Sequence, residues 1–100
     1  WYSSADACKF NKLPNCPMAS GRSIYEAEKN KERFAATYDF DLGTRLRVIN
    51  LQNGRSTTVT VQDRGPARRL KRIIDLSKSA FQEIADLEAG IVPVTLEVLP

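Results

Sequence analysis

The sequence has no histidine and only two cysteines, Cys8 and Cys16, among its 100 residues. Zinc sites are built mainly from histidine and cysteine, so these two residues cannot complete one. We therefore expect no metal and no other cofactor. No apolar run approaches the roughly 18 residues that a transmembrane helix needs, and no internal repeat or low-complexity tract is present. A membrane span is excluded.

The length of the chain predicts a single domain over residues 1–100, because chains of this size rarely divide into two units that each have a core. We expect a monomer. The chain opens at Trp1 without the initiator methionine, basic segment and apolar segment of a secretion signal. This start is typical of a mature or excised segment, and any lipid anchor would lie outside it.

The two cysteines are candidates for a disulfide. They lie in a loop-rich segment, and closing so short a loop stabilises a small domain by about 2.5 kcal/mol in the chain-entropy model. The alternative is a pair of free thiols in a cytosolic protein. We predict that Cys8 and Cys16 are bonded, which implies an oxidising compartment.

Positive charge is in modest excess, with 15 Lys and Arg against 12 Asp and Glu and a net charge of +3. Five cations fall between positions 64 and 72, and this cluster is either a solvated surface or an anion-binding loop. No recognised nucleic-acid module or set of stacking aromatics accompanies it, so we expect no nucleic-acid partner. Its members are Arg64, Arg68, Arg69, Lys71 and Arg72.

The middle of the chain predicts a β-hairpin. Leu46 and Val48 alternate with polar residues on one strand, and Val59 and Val61 do so on the next. Asn53-Gly54 between them is typical of a two-residue turn. Counting outward from this turn pairs Val48 with Val59 and Leu46 with Val61.

The second half of the chain predicts a short strand at Ile73-Ile74, a helix from about Ser77 to Leu87 ended by Gly90, and a final strand over residues 92–99. The helix has an apolar stripe at helical spacing. Near the N terminus we expect one short strand followed by loops, with no apolar stripe in residues 26–33.

Asp63 has the same strand parity as Val59 and Val61, which predicts that its carboxyl points toward the core side. A desolvated carboxyl can remain protonated near neutral pH, as a general acid for glycosidic cleavage must. The alternative is an aspartate that ends the strand and bonds to the amides of the turn at 64–66.

Four short motifs, in this order and at this spacing, resemble the rare lipoprotein A family. Trp1-Tyr2, Ala19-Ser20-Gly21 and the last strand also resemble the corresponding parts of that family. The four motifs are Gly43-Thr44-Arg45-Leu46-Arg47-Val48, Asn53-Gly54-Arg55-Ser56, Asp63-Arg64-Gly65-Pro66 and Ile73-Ile74-Asp75-Leu76-Ser77.

The resemblance implies a mostly β fold, a six-stranded double-psi β-barrel with one short helix from about Ser77 to Leu87. It also implies export to the bacterial periplasm or cell envelope, with peptidoglycan glycan strands as the partner. Better-studied members are lytic transglycosylases, which cut between N-acetylmuramic acid and N-acetylglucosamine and leave a 1,6-anhydro end. One carboxyl can act as acid and then as base in such a reaction.

The chain departs from the family pattern at two positions. The family has a glutamate where this chain has Arg22, and a histidine where it has Thr37. Of these three groups only the aspartate, Asp63, is kept, and we predict it as the catalytic acid and base. Glu26 or Glu28 could substitute for the missing glutamate, and Arg22 and Thr37 are candidate groove residues, with Arg22 near Asp63.

The resemblance further implies a set of substrate-binding residues. Because the family glutamate and histidine are missing, a second hypothesis stays open, a barrel that binds peptidoglycan without cutting it. Whether the domain is an enzyme is thus undecided at this point. The implied substrate-binding residues are Tyr2, Thr44, Arg64 and Asp75.

Overall fold

The computed structural model describes residues 1–9, 13–66 and 72–100, and a five-stranded sheet forms the centre of this part of the chain. Across the sheet the strand order is β4-β1-β3-β2-β5. β1 pairs in parallel with β3, and the other neighbours are antiparallel. The strands are β1 (Phe34–Ala36), β2 (Arg45–Asn50), β3 (Ser56–Asp63), β4 (Asp75–Leu76) and β5 (Val94–Val98).

The sheet curls into a half-barrel, so the predicted mostly β class is confirmed. The described residues contain five strands where six were predicted. They also contain more helix than the one predicted segment, because two short helices precede the sheet. The helical segments are α1 (Ser4–Ala7), α2 (Ile24–Lys29), α3 (Lys78–Ile84) and a 3-10 turn (Leu87–Ala89).

β2 and β3 form the predicted hairpin, but the predicted register was wrong by two residues. Leu46 lies opposite Val59, and Val48 lies opposite Thr57. A shift by an even number of residues keeps every side chain on its face. Leu46, Val48, Val59 and Val61 are therefore all buried, as the alternation predicted.

The register differs because the connection between the strands spans residues 51–55 rather than two residues. The side-chain amides of Asn50 and Asn53 both donate to the carbonyl of Ile84, over 2.8 and 2.9 Å. These bonds tie the loop to the end of α3. Of Asn53 and Gly54, only Gly54 has a positive φ, of 76°, whereas the predicted tight turn needs both, so that turn does not form.

The predicted helix begins where expected, since the Ser77 hydroxyl accepts a hydrogen bond from the amide of Ala80 over 3.4 Å. α3 ends at Ile84, earlier than Leu87, which starts the separate 3-10 turn. At the N terminus, Ile24 and Ala27 of α2 are buried one helical turn apart. Ile24 and Ala27 thus form a short apolar stripe, although we expected no apolar stripe in residues 26–33.

Two strands differ from the predicted bounds. β4 contains Asp75 and Leu76 instead of Ile73-Ile74, and Ile73 is 52% exposed. β5 covers residues 94–98 of the predicted 92–99. It is the last strand of the sheet, so one of its edges has no neighbour among the described residues.

β1 separates two clusters of buried apolar side chains. Ala35 belongs to the larger cluster, which lies between the sheet and α3, while Phe34 and Ala36 face the smaller one. Alternation along a strand explains the division. The smaller cluster consists of Tyr2, Cys16, Met18, Ile24, Ala27, Phe34 and Ala36.

Cys8 and Cys16 form the predicted disulfide, with 5.8 Å between their Cα atoms. The bond joins the end of α1 to the segment that precedes Met18, a residue of the smaller cluster. Among the described residues, no helix is both long enough and apolar enough to span a bilayer.

Candidate functional site

Asp63, Ala36 and Asp75 are neighbours across the three strands β3, β1 and β4. Ala36 lies opposite Asp63 in the parallel pair and opposite Asp75 in the antiparallel pair. Two strand spacings, roughly 10 Å, separate the backbones of the two aspartates. The short side chain of Ala36 between them leaves space on this face of the sheet.

An irregularity in β1 and β3 turns Asp63 toward this space. Ala35 pairs with Val61, but the next residue, Ala36, pairs with Asp63 instead of Gln62. This extra residue is a bulge, which reverses the side on which the following side chains point. Asp63 therefore lies beside Ala36 and the smaller cluster, and not on the face of Val61 as strand parity alone predicted.

Two backbone amides hold the Asp63 carboxylate. Oδ1 accepts hydrogen bonds from the amide of Ala19 over 3.0 Å and from the amide of Arg64 over 2.9 Å. The Asp63 carbonyl also accepts from the amide of Thr37 over 3.1 Å. Both of these hydrogen bonds fall on Oδ1, and the one from Arg64 is the bond to the turn at 64–66 that the alternative placement of Asp63 predicted.

A groove with a volume of about 630 Å³ lies over the row of Asp63, Ala36 and Asp75. Carboxylates, guanidinium groups and aromatic rings all line it, which is a combination suited to a polar ligand with apolar faces. Its ionisable lining residues are Asp6, Asp63, Arg64, Arg72 and Asp75, and its aromatic lining residues are Trp1, Tyr2 and Tyr38.

Tyr2 lies in the inner part of this groove. Its ring packs edge-on against Phe34, with centroids 5.9 Å apart, and its hydroxyl donates to the sulfur of Met18 over 3.9 Å. Burial raises the pKa of Tyr2 far above its ordinary value, and the negative charges of Asp63, Asp75 and Glu28 raise it further. Tyr2 thus keeps its proton and can only act as a neutral hydrogen-bonding group.

The two arginines of the groove are held differently. Arg64 Nη1 donates to the carbonyls of Thr37, over 2.9 Å, and of Phe40. This fixes the chain between β1 and β2 against the turn that follows Asp63. Arg72 Nη2 forms an ion pair with Asp75 Oδ2 at 3.5 Å. Arg68, Arg69 and Lys71, the other predicted members of the basic cluster, lie outside the described residues.

Arg22 pairs with two glutamates instead of Asp63. Its Nη1 lies 3.1 Å from Glu26 Oε2, and its Nη2 and Nε both donate to the carboxylate of Glu32. The hydrogen bond from Arg22 lowers the pKa of Glu32. Arg22 and Glu26 line a separate depression and are not part of the groove lining. The structure therefore does not bring Arg22 or Glu26 together with Asp63.

The other predicted site residues have structural contacts. Glu28 accepts from the amide of Ser4 over 3.0 Å. Thr37 is fully buried, and its hydroxyl donates to the Ile73 carbonyl over 3.0 Å. The Thr44 carbonyl accepts from the Val61 amide. None of these three belongs to the groove lining.

Sequence reasoning missed two contributors to the site. It did not predict the part of Ala19, and it did not predict that Arg72 lines the groove. Ala19 takes part only through its backbone amide, for which no side-chain signal exists. Arg72 was assigned to the basic cluster, and only its spacing of three residues from Asp75 could have indicated the ion pair. In the part of the chain that the structure describes, no group of acidic or cysteine side chains could hold a metal ion.

A family model described as lytic transglycolase matches residues 1–96 of this chain. The match includes every residue of the groove. It also includes the bulge at Asp63 and the Asp63-Arg64-Gly65-Pro66 motif.

Curated relatives resemble the chain over most of its length. A Vibrio cholerae protein named endolytic peptidoglycan transglycosylase RlpA is 42% identical over 96 residues, which are 96% of this chain and 35% of the relative. A Nostoc protein named probable endolytic peptidoglycan transglycosylase RlpA is 42% identical over 82 residues, 80% of this chain and 22% of the relative. An uncharacterized Synechocystis protein is 41% identical over 87 residues, 86% of each chain. The chain thus spans 22% to 35% of the two named transglycosylases.

Proposed function

We propose that this chain, which belongs to the family of RlpA-like lytic transglycosylase domains, cleaves the glycan strands of peptidoglycan. The bond cleaved would be the one between N-acetylmuramic acid and N-acetylglucosamine. The observation that carries the proposal is that Asp63 lines the groove, where the bulge opposite Ala36 turns its carboxyl away from the face of Val61.

The proposed reaction needs one carboxyl that first gives and then takes a proton. Asp63 Oδ2 donates its proton to the glycosidic oxygen while the bond from that oxygen to C1 of the muramic acid breaks. The carboxylate then accepts the proton of the C6 hydroxyl of the same sugar, and O6 bonds to C1. The product has a 1,6-anhydro ring, no water is consumed, and Asp63 ends protonated as it began.

The surroundings of Asp63 support this assignment. The Ala19 and Arg64 amides orient the carboxylate by donating to Oδ1, and no described residue donates a hydrogen bond to Oδ2. Tyr2 keeps its hydroxyl proton, which it donates to the sulfur of Met18, and its ring lines the groove. A substrate of this kind also implies an exported domain that acts in the cell envelope.

A second candidate function is binding of peptidoglycan without cleavage. The pairing of Arg22 with Glu26 and Glu32 favours it, because the carboxylates nearest the position of the family glutamate are neutralised and lie outside the groove. In this case the groove and its aromatic rings would hold the glycan, and Asp63 would accept hydrogen bonds from sugar hydroxyl groups.

The test is incubation of the domain with purified peptidoglycan, both intact and stripped of stem peptides. Mass spectrometry detects products with 1,6-anhydro ends, and sedimentation measures binding to the insoluble polymer. Cleavage predicts anhydro products that accumulate with time. Sedimentation without products would favour the binding function, and the absence of both would overturn both candidates.

A further inference from the structure

A second cavity, of about 280 Å³, opens next to the groove. It shares Trp1, Arg72 and Asp75 with the groove lining. The rest of its wall is mainly apolar and comes from the start of β4, from α3 and from the segment before β5. A ligand in the groove could therefore place a substituent in this cavity. Its apolar walls include Leu76, Phe81, Val92 and Val94.

Arg72 stands at the boundary of the two cavities and is incompletely paired. Its Nε is buried and has no hydrogen-bond partner among the described residues. Its ion pair with Asp75, at 3.5 Å, is long for a hydrogen bond. A buried donor without an acceptor is uncommon in folded proteins and is destabilising. An oxygen atom supplied by a ligand would satisfy it.

The substrate proposed above carries a substituent of matching chemistry. Each muramic acid differs from glucosamine by a lactyl group on O3, in which the CH carbon bonded to O3 carries a methyl group and a carboxyl group. The carboxyl is ionised in strands stripped of peptide and forms an amide in strands that carry it. Both forms offer a carbonyl oxygen next to a methyl group.

We propose that this second cavity is a subsite for the 3-O-lactyl substituent, and that Arg72 is its specificity-determining residue. The guanidinium donates to the lactyl carbonyl oxygen, and the apolar walls take the methyl group. The long contact with Asp75 leaves the guanidinium room to turn its Nε edge toward this oxygen. The subsite rests on the proposed function, because it presupposes a glycan in the groove, and it distinguishes peptidoglycan from chitin, which has no lactyl group.

The test is calorimetric titration of the domain with three β-1,4-linked tetrasaccharides. One alternates N-acetylglucosamine with N-acetylmuramic acid and has free lactyl carboxyl groups, the second carries stem peptides on those groups, and the third is chitotetraose. We expect at least one of the muramic acid ligands to bind about tenfold more tightly than chitotetraose, since a hydrogen bond to a charged group contributes about 1.5 kcal/mol or more. The stronger of the two identifies the lactyl form that the cavity accepts.

Two variants and one control complete the test. Arg72→Gln should reduce the preference for muramic acid about tenfold, and Val92→Phe should reduce it by filling the cavity. Arg47→Gln removes an exposed arginine that also pairs with a carboxylate at 3.5 Å, on Glu97, and should leave the preference unchanged. Circular dichroism establishes that each variant is folded.

The outcomes separate the subsite from the function on which it rests. Equal binding of all three ligands by the unaltered domain would overturn the lactyl subsite and leave glycan binding intact. A preference for the muramic acid ligands that persists in both variants, Arg72→Gln and Val92→Phe, when each is folded would also overturn the lactyl subsite and leave glycan binding intact. Binding of none of the ligands would overturn the proposed function and the subsite with it.

Discussion

The backbone amide of Ala19 donates a 3.0 Å hydrogen bond to Oδ1 of Asp63, and so joins a loop near the N terminus to the end of β3. The same loop is held at its start by the disulfide at Cys16 and by a hydrogen bond from the amide of Met18 to the carbonyl of Arg22. The orientation of the proposed catalytic carboxylate therefore depends on a residue that lies 44 positions earlier in the chain.

Loss of the disulfide should destabilise the domain. Replacing Cys8 and Cys16 by serine should lower the free energy of unfolding by about 2.5 kcal/mol, because the unfolded chain regains the freedom of the short closed loop. Urea denaturation measures the change, with the unaltered domain under oxidising conditions as the reference. A change below about 0.5 kcal/mol would contradict a stabilising role for this bond.

The hydroxyl of Ser77 forms hydrogen bonds with both β1 and α3, and removal of this hydroxyl should destabilise the fold. Its buried hydroxyl accepts from the amides of Phe34, over 3.1 Å, and Ala80, over 3.4 Å. Ser77→Ala leaves the Phe34 amide without this acceptor and removes the helix cap, so we expect a loss of about 2 kcal/mol. Thermal or urea unfolding measures it. Ser56→Ala, at an exposed position in β3, is the matched control and should change stability by less than about 0.5 kcal/mol.

The pairing of Arg22 with Glu32 predicts a pH dependence of stability. The pKa of Glu32 is lower in the folded state, so its ionised carboxylate stabilises the fold above the unfolded-state pKa, and this contribution is lost as the pH falls through the folded-state value. Glu32→Gln should therefore lower the unfolding free energy at pH 7 by more than it does in acid. Glu88→Gln, at an exposed position, is the control. A difference that is the same at every pH would contradict the ion pair.

Local patterns in the sequence predicted the secondary structure well where one face of an element is buried. The alternation of Leu46, Val48 and Val59 and the helical spacing that follows Ser77 both correspond to elements of the fold. The hairpin register was wrong because Asn53-Gly54 is typical of a short turn. Long-range hydrogen bonds from Asn50 and Asn53 to Ile84 determined the loop instead, and no local pattern encodes them.

The candidate site was predictable only in part. The resemblance to the family implied Asp63, Tyr2, Arg64 and Asp75 as site residues, and all four line the groove. The bulge that turns Asp63 toward the groove arises from the pairing of β1 with β3. These strands are distant in sequence, since Phe34 pairs with Thr60. Strand parity could not reveal it. The pairing of Arg22 with Glu32 likewise depends on the path of the chain around α2.

The most direct test of the account is the rate at which the domain and its Asp63→Asn variant release anhydro-ended products from peptide-stripped peptidoglycan. The asparagine oxygen can still accept from the amides of Ala19 and Arg64, so the fold and sedimentation with the polymer should persist, while proton transfer is lost. Asp86→Asn, at an exposed position outside the groove, is the matched control. The account predicts measurable release by the unaltered domain and by Asp86→Asn, and a fall of at least about 100-fold for Asp63→Asn. Equal rates for Asp63→Asn and the unaltered domain would contradict it.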